Sequence, residues 1–364
     1  MRLPKTVAFC TNKREYWQNN CQKKEKCNYP GMRWLSLLYE ALKEKGIDFI
    51  SGDVAIELVK LKQLRASDLF VIQEENAKHA KWLLENGSQP FLLYSWESPI
   101  YASFFYDRLK SIAPKFENRL FFDFAFKNFS ARSGKNHKLY FPTFSKEDKF
   151  YFKDWSKRDF LVMVSANKSA NRKITQNKTL KELVYHFYKY LSPTFRSSIK
   201  HELHHKRVEA ILHFKDRLKV YGVFWDDLSN FDESTKTNLK PIIDKIQPTF
   251  CENKIETISN YKFCICAENV EYDGYVTEKI IDCFIAGTIP IYFGTSKISK
   301  MVPKDIYIDF IDFNDFDELD RFLCSMSEEK AKEMIQNAYE FLKSDRGKKF
   351  SNEYFVENIV RMIE

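Results

Sequence analysis

The sequence predicts an α/β protein made of two Rossmann-like halves, and three observations carry that expectation. Short apolar runs alternate with amphipathic helical periods in the first half, the pattern of a parallel sheet with crossover helices. The same grammar resumes after residue 158. At 364 residues the chain exceeds what one hydrophobic core usually serves, so two domains are expected. A composition of 44% hydrophobic and 30% charged residues, with 10 Gly and 11 Pro, fits a globular protein and argues against a disordered or fibrous one.

In order, the first half offers a strand at Thr6 to Cys10, a helix near Met32 to Lys45, a strand at Leu69 to Gln73, a helix near Ala77 to Asn86 and a strand at Pro90 to Tyr94. A polar, aromatic stretch from Lys127 to Arg158 follows, and the domain boundary is placed near residue 153. Phe160 to Val164 reads as a buried strand ending in the polar loop Ser165 to Asn171. A long helical region then runs from about Thr175 to Leu218. Strands follow at Lys219 to Tyr221, closed by Gly222, at Tyr261 to Ala267 and at Ile289 to Phe293. No repeat of fixed period and no low-complexity tract interrupts this order.

The stretch Tyr261 to Gly294 reads strand, polar loop, helix, glycine, strand, and its loop falls where open α/β sheets bind ligands. Thr277 suits an N-cap, Ile280, Ile281, Phe284 and Ile285 form an apolar face, and Gly287 suits the helix C-terminus. The helix then begins at Glu278-Lys279. Its N-terminal amides, with Lys279, could hold a diphosphate. Glu278 could bond a sugar hydroxyl or stabilise oxocarbenium-like charge. On the residues alone an ordinary capped helix with an acidic first turn fits as well.

The run Phe263 through Ala-Glu-Asn269, then Gly-Tyr-Val-Thr-Glu-Lys279 and Ala-Gly-Thr-Ile-Pro-Ile-Tyr-Phe-Gly294, resembles the donor-site signature of the α1,3/4-fucosyltransferase family. That resemblance implies a GT-B fold, with two Rossmann-like domains facing a cleft, and a metal-independent, inverting enzyme of bacterial type using GDP-L-fucose. It places donor contacts on Asn269, Tyr275, Val276, Thr277 and Lys279, with Glu278 beside the sugar. The strand Phe160 to Val164 with Ser165-Ala-Asn167-Lys168 is similar to the family's Ser-Asn-type loop, apart from the inserted Ala. Arg207, before Val208 to Leu212 and Val220-Tyr-Gly222, resembles the family's diphosphate-binding arginine; a guanidinium fork suits that task. Arg172 is the rival for it. Ser95-Trp-Glu97-Ser98-Pro99 is similar to the family's Glu-Ser-Pro turn, which makes Glu97 the candidate base; without the family context, a turn residue before Pro99 is the simpler reading. The implied organisation is an acceptor domain over residues 1–152 and a donor domain over residues 153–364 that includes the C-terminal helices. The expected reaction is α1,3 transfer to a glycan such as a surface polysaccharide or lipopolysaccharide, with another GDP-linked sugar as the alternative donor.

The remaining features discriminate less. A net charge of +8 suits an anionic nucleotide, an acidic glycan or a membrane surface, and no nucleic-acid motif accompanies it. Eight cysteines show neither a disulfide framework nor a zinc-ribbon spacing, so reduced thiols are expected. The first ten residues carry no apolar run of signal-peptide length, which reads as cytoplasmic. His201-Glu202-Leu-His204-His205 matches the zinc-peptidase pattern on a strongly basic segment without a third ligand. Asp315-Phe-Asp317 reads as a helix cap before a metal site. Lys343, Arg346, Lys348 and Lys349 could touch anionic lipid, although such a run is commonly a solvated face.

Overall fold

Both halves fold as parallel sheets flanked by helices, in a computed structural model that describes residues 5–28, 31–127, 134–168, 187–229, 231–246 and 248–364. The chain divides into two units. The first comprises Met1–Glu97, Phe104–Asp148 and Lys349–Glu364; the second comprises Ser98–Ser103 and Lys149–Lys348.

The first unit holds β1 (Thr6–Cys10), β2 (Asp48–Ser51), β3 (Leu69–Glu74), β4 (Gln89–Tyr94), β5 (Asn118–Phe121) and β6 (Lys135–Lys138) in the order β2-β1-β3-β4-β5-β6, every pair parallel. Crossovers run through α1 (Trp34–Glu44), α2 (Gly52–Lys60), α3 (Lys78–Glu85) and α4 (Ser103–Ile112). Val7, Ala8, Phe9, Val71, Ile72, Leu92 and Leu93 are fully buried or nearly so, as strands covered on both faces require. Three expected strands are present; β2, β5 and β6 add to them. β6, Lys-Asn-His-Lys, is a polar edge strand whose sequence carries no apolar alternation.

The second unit holds β7 (Asp159–Val164), β8 (Leu218–Tyr221), β9 (Tyr261–Ala267), β10 (Ile289–Phe293) and β11 (Ile308–Asp309), in the order β11-β10-β9-β7-β8. Counted within each unit, both sheets begin with the same order, 2-1-3-4-5. The chain reverses its direction across the sheet between β1 and β3 and between β7 and β9, and ligands of such sheets bind at the carboxyl ends of those strands. The longer helices of this unit are α5 (His204–Phe214), α6 (Glu233–Ile246), α7 (Glu278–Ala286), α8 (Phe316–Ser325) and α9 (Glu328–Lys343). Leu161, Met163, Ile211, Phe263, Ile265, Ile291 and Leu319 form the core between sheet and helices. Each such buried side chain contributes about 1.5–3 kcal/mol.

Two expectations change. The helical region read as continuous to Leu218 is broken at Glu202, whose backbone is extended, so α5 starts only at His204. Its part before residue 187 lies outside the described residues. The last helix, α10 (Asn352–Ile363), belongs to the first unit and not to the donor domain, and the division falls at Asp148/Lys149 instead of residue 153. The reason is apolar: Phe355 packs 4.9 Å from the ring of Trp34 on α1, and Val356, Ile359 and Ile363 are buried. Asn352 also donates to the Phe144 carbonyl at 3.0 Å.

Candidate functional site

The carboxyl ends of β7 and β9 gather most of the residues expected to bind donor. α7 spans Glu278–Ala286 as its period dictates, with Ile280, Ile281, Phe284 and Ile285 buried and Gly287 closing it at φ +62. A Cβ on Gly287 would meet the Tyr151 carbonyl at 2.1 Å, so both dihedral and space call for glycine. Thr277 occupies the N-cap position, but its hydroxyl does not cap. It donates to Glu268 Oε2 at 2.8 Å and accepts from Lys279 Nζ at 2.7 Å. The N-cap side chain thus leaves the first-turn amides of α7 uncapped by it, a feature suited to an anion.

Glu268, which sequence reading passed over, organises this turn. It is fully buried; Oε1 accepts from the Thr277 amide at 2.8 Å and Oε2 pairs with Lys279 Nζ at 2.9 Å. Lys279 also lies 3.5 Å from Glu278. Burial alone would lower the lysine's pKa, but Glu268 and Glu278 outweigh it and raise it. Burial works against the charge on Glu278 too, yet Lys279 and Lys254 bring its pKa down to about 2. Lys254 is itself paired with buried Asp282 at 2.6 Å, and burial pushes the Asp282 carboxyl up to about 6.

Arg207, on the first turn of α5, is buried, and its Nη2 donates to the carbonyls of Ala267 at 2.8 Å and Glu268 at 3.3 Å and to Asn269 Oδ1 at 3.1 Å. Its Nε is buried without a partner among the described residues. Burial lowers its pKa, partly offset by Tyr101, Glu268, Glu202 and Tyr275, yet among the described residues no carboxylate forms an ion pair with it. A buried guanidinium with such a donor at a strand's carboxyl end has the chemistry to receive an anion. Tyr275 and Val276 are buried in the same loop. Arg172 lies outside the described residues.

The Ser165–Lys168 loop stands at the end of β7. Gly222, at φ +145, lets β8 pass so close that a Cβ would meet the Ser165 carbonyl at 2.1 Å. Asn167, expected to contact donor, also ties the loop to its surroundings. It is fully buried; its amide donates to the carbonyls of Phe224 and Asp227, both at 3.0 Å, and its Oδ1 meets His204 Nε2 at 2.9 Å. Both amide hydrogens and one contact of Oδ1 hold the loop. Lys168 is exposed, and its carbonyl accepts from Tyr101 Oη at 2.7 Å.

The zinc-peptidase pattern dissolves in the same place. His201 and His205 do not share a helix, because the chain extends at Glu202. That segment instead bridges the donor loop: Leu203 N donates to Asn269 O at 3.1 Å and Glu271 N to His201 O at 2.8 Å. Buried His204, next to Arg207, has its pKa lowered to about 3, first by burial. Asp315 caps α8 as expected, accepting from the Glu318 amide at 2.8 Å. Among the described residues the potential metal-ligating group is Cys264, Cys266 and Cys283, buried thiols with sulfurs within 4.8 Å.

In the first unit, Glu97 sits in the turn after β4. Its amide donates to Ser95 Oγ at 3.3 Å and its carbonyl accepts from Tyr106 Oη at 3.0 Å. The end of β3 brings Glu74 to the same edge, where it pairs with Lys13 at 2.9 Å and accepts from Thr11. Lys343 pairs with Glu340 at 3.0 Å and Lys348 with Asp345 at 3.7 Å, as on a solvated face. Among the described residues no helix is long and apolar enough to cross a membrane.

Residues 200–340 match the family described as glycosyltransferase family 10 (fucosyltransferase), C-terminal. The α-(1,3)-fucosyltransferase FucT of Helicobacter pylori is 53% identical over 49 residues, 14% of this chain and 10% of that protein. The 4-galactosyl-N-acetylglucosaminide 3-α-L-fucosyltransferase 9 of Mus musculus is 38% identical over 59 residues, 16% of each chain. The matches thus span only a minor part of these relatives' lengths. A crystal structure of an α1,3-fucosyltransferase superposes with a TM-score of 0.52 at 16% identity, covering 99% of this chain and 90% of that one. At that identity the likeness shows the fold, the GT-B fold of glycosyltransferases.

Proposed function

From the premise that this chain belongs to glycosyltransferase family 10, the fucosyltransferases, through its residues 200–340, we propose that it transfers L-fucose from GDP-L-fucose to a hydroxyl of a glycan acceptor, with inversion and without an obligatory metal. The observation that carries the reading is Arg207, a buried cation whose Nε has no partner among the described residues, at the carboxyl end of β9 in the unit whose α7 is not capped by its N-cap side chain, Thr277.

In this reading the diphosphate takes the orphaned donor of Arg207, the first-turn amides of α7 and Lys279. As the sugar–phosphate bond breaks, negative charge moves onto the leaving GDP, and these groups receive it. That is the task a divalent cation performs in other transferases. Glu278, held ionised by two lysines, faces the positive charge that develops on the sugar. Asn269 and Tyr275 contact the nucleotide, and the Ser165 and Lys168 loop borders the site. Glu97 takes the acceptor's proton as the new glycosidic bond forms, so that attack comes opposite to GDP and the anomeric configuration inverts. The linkage proposed is α1,3. A surface polysaccharide or lipopolysaccharide is the proposed acceptor class, and 4-galactosyl-N-acetylglucosaminide, the acceptor in the mouse relative's name, is the probe to try first. Cytoplasmic residence, with peripheral contact through Lys343, Arg346, Lys348 and Lys349, accords with such an acceptor.

Calorimetric titration of chelator-treated protein tests the donor site. GDP and GDP-L-fucose should bind, with GDP-mannose weaker and UDP-galactose absent. A folded sample that ignores GDP would overturn the site, and one that prefers GDP-mannose would replace the sugar.

A further inference from the structure

At the end of β3 the backbone of Glu75 turns left-handed, at φ +48. A long acidic side chain rarely adopts that conformation, which costs about 1–2 kcal/mol. The surroundings impose it: the Glu75 amide donates to the Tyr94 carbonyl at 3.0 Å, and Gln73 Nε2 donates to the Glu75 carbonyl. The result turns the Glu75 side chain back toward the turn that follows β4, where Ser95 Oγ donates to Glu75 Oε1 at 2.9 Å.

Ser95 is fully buried and has one proton. With that proton committed to Glu75, the hydroxyl presents a lone pair to the Glu97 amide, which donates to it at 3.3 Å. Tyr106 Oη holds the Glu97 carbonyl at 3.0 Å. The main chain of Glu97 is therefore gripped on both sides, and the grip at its amide depends on what Glu75 does to the serine proton.

We propose that Glu75 is a positioning residue for Glu97, acting through Ser95 to fix the turn that carries the base. The proposal rests on the reading of Glu97 as that base. The groups facing Glu75 are Glu74, Glu97 and Lys13, with the hydroxyls of Ser95, Tyr94 and Tyr106. Burial, and then the charges of Glu74 and Glu97, push its carboxyl up to about 8 against the pull of Ser95 and Lys13. A carboxyl raised this far keeps its proton through much of the neutral range while Ser95 donates to its Oε1, which lessens the negative charge beside Glu97. A glutamine amide offers the same neutral acceptor.

The experiment compares Glu75→Leu, Glu75→Gln, Ser95→Ala and Glu97→Gln with the parent protein, using GDP-L-fucose and 4-galactosyl-N-acetylglucosaminide, with GDP affinity and circular dichroism for each. Glu75→Leu should lower kcat roughly 10- to 100-fold, the scale of misplacing a catalytic group by about an ångström. KM for the donor and GDP affinity should stay put. Glu75→Gln should restore most of kcat. Ser95→Ala should resemble Glu75→Leu, and the double variant should be no worse than either. A fully active Glu75→Leu, a Glu75→Gln as impaired as the leucine variant, or additive losses would each overturn the positioning role. If Glu75→Leu does not fold, Ser95→Ala decides alone: unchanged kcat there sinks the proposal. An active Glu97→Gln would instead refute the base, and is read separately.

Discussion

Replacing Arg207 by Met keeps most of the side chain's apolar stem and removes its charge. Two consequences follow from the structure. The carbonyls of Ala267 and Glu268 and the Asn269 side chain lose the Nη2 donor, a local cost shared with folding. The second is specific to ligand: under the proposed assignment, the Nε that has no partner among the described residues, and the guanidinium edge it belongs to, are lost to the diphosphate. One or two charge-assisted hydrogen bonds at about 1.5–3 kcal/mol each amount to about 1.5–6 kcal/mol in binding, a roughly 10- to 20,000-fold rise in Kd for GDP. Calorimetry with GDP and with guanosine, on a variant shown by circular dichroism to be folded, separates the two consequences. GDP should weaken by that factor and guanosine hardly at all, because only GDP carries the diphosphate. Equal losses for both ligands, or an unchanged GDP affinity, would refute the assignment. Arg207→Lys should recover only part of the loss, since a point charge cannot reproduce the fork.

Other residues give independent expectations. Glu97→Gln should lower kcat about 10²- to 10⁴-fold, the usual span for a general base, while GDP affinity measured by calorimetry stays unchanged. Glu268→Ala leaves Lys279 and the Thr277 amide without their buried partner, and chemical denaturation should show a loss of about 3–5 kcal/mol. Glu278 has its folded-state pKa depressed to about 2, below the ordinary carboxylate value, so the unfolded chain takes up its proton first as pH falls. Its stabilising contribution is present above the unfolded pKa and is lost on acidification toward pH 2. The stability gap between the parent and Glu278→Gln should accordingly narrow from pH 6 to pH 3 in urea titrations, and a constant gap would contradict the lysine pairing.

The legible parts of this chain were those where one short segment carries its own signal. α7 could be read to the residue because Ile280, Ile281, Phe284 and Ile285 keep the 3.6 period and Gly287 ends it. β1 after Thr6, β9 from Phe263 onward and β10 are continuous apolar runs, as central parallel strands are. β6 is four polar residues held by pairing with β5, so nothing local announces it. Glu268 was passed over because it acts from the interior: a carboxylate between Ala267 and Asn269 shows its role only when α7 brings Thr277 and Lys279 to it. Asn167 likewise has a framework role that nothing local announces, since its side chain is bonded to Phe224, Asp227 and His204, which are distant in sequence. The Glu75–Ser95–Glu97 chain joins the ends of β3 and β4, and only their parallel pairing makes those residues neighbours.

The most direct test of the central claim is to incubate metal-stripped protein with GDP-L-fucose and 4-galactosyl-N-acetylglucosaminide and to determine the product by nuclear magnetic resonance. The account predicts a fucosylated product whose anomeric configuration is inverted relative to the donor, formed with the chelator still present. A product with retained configuration, or a folded protein that binds GDP but turns over another GDP-linked sugar and not GDP-L-fucose, would contradict it.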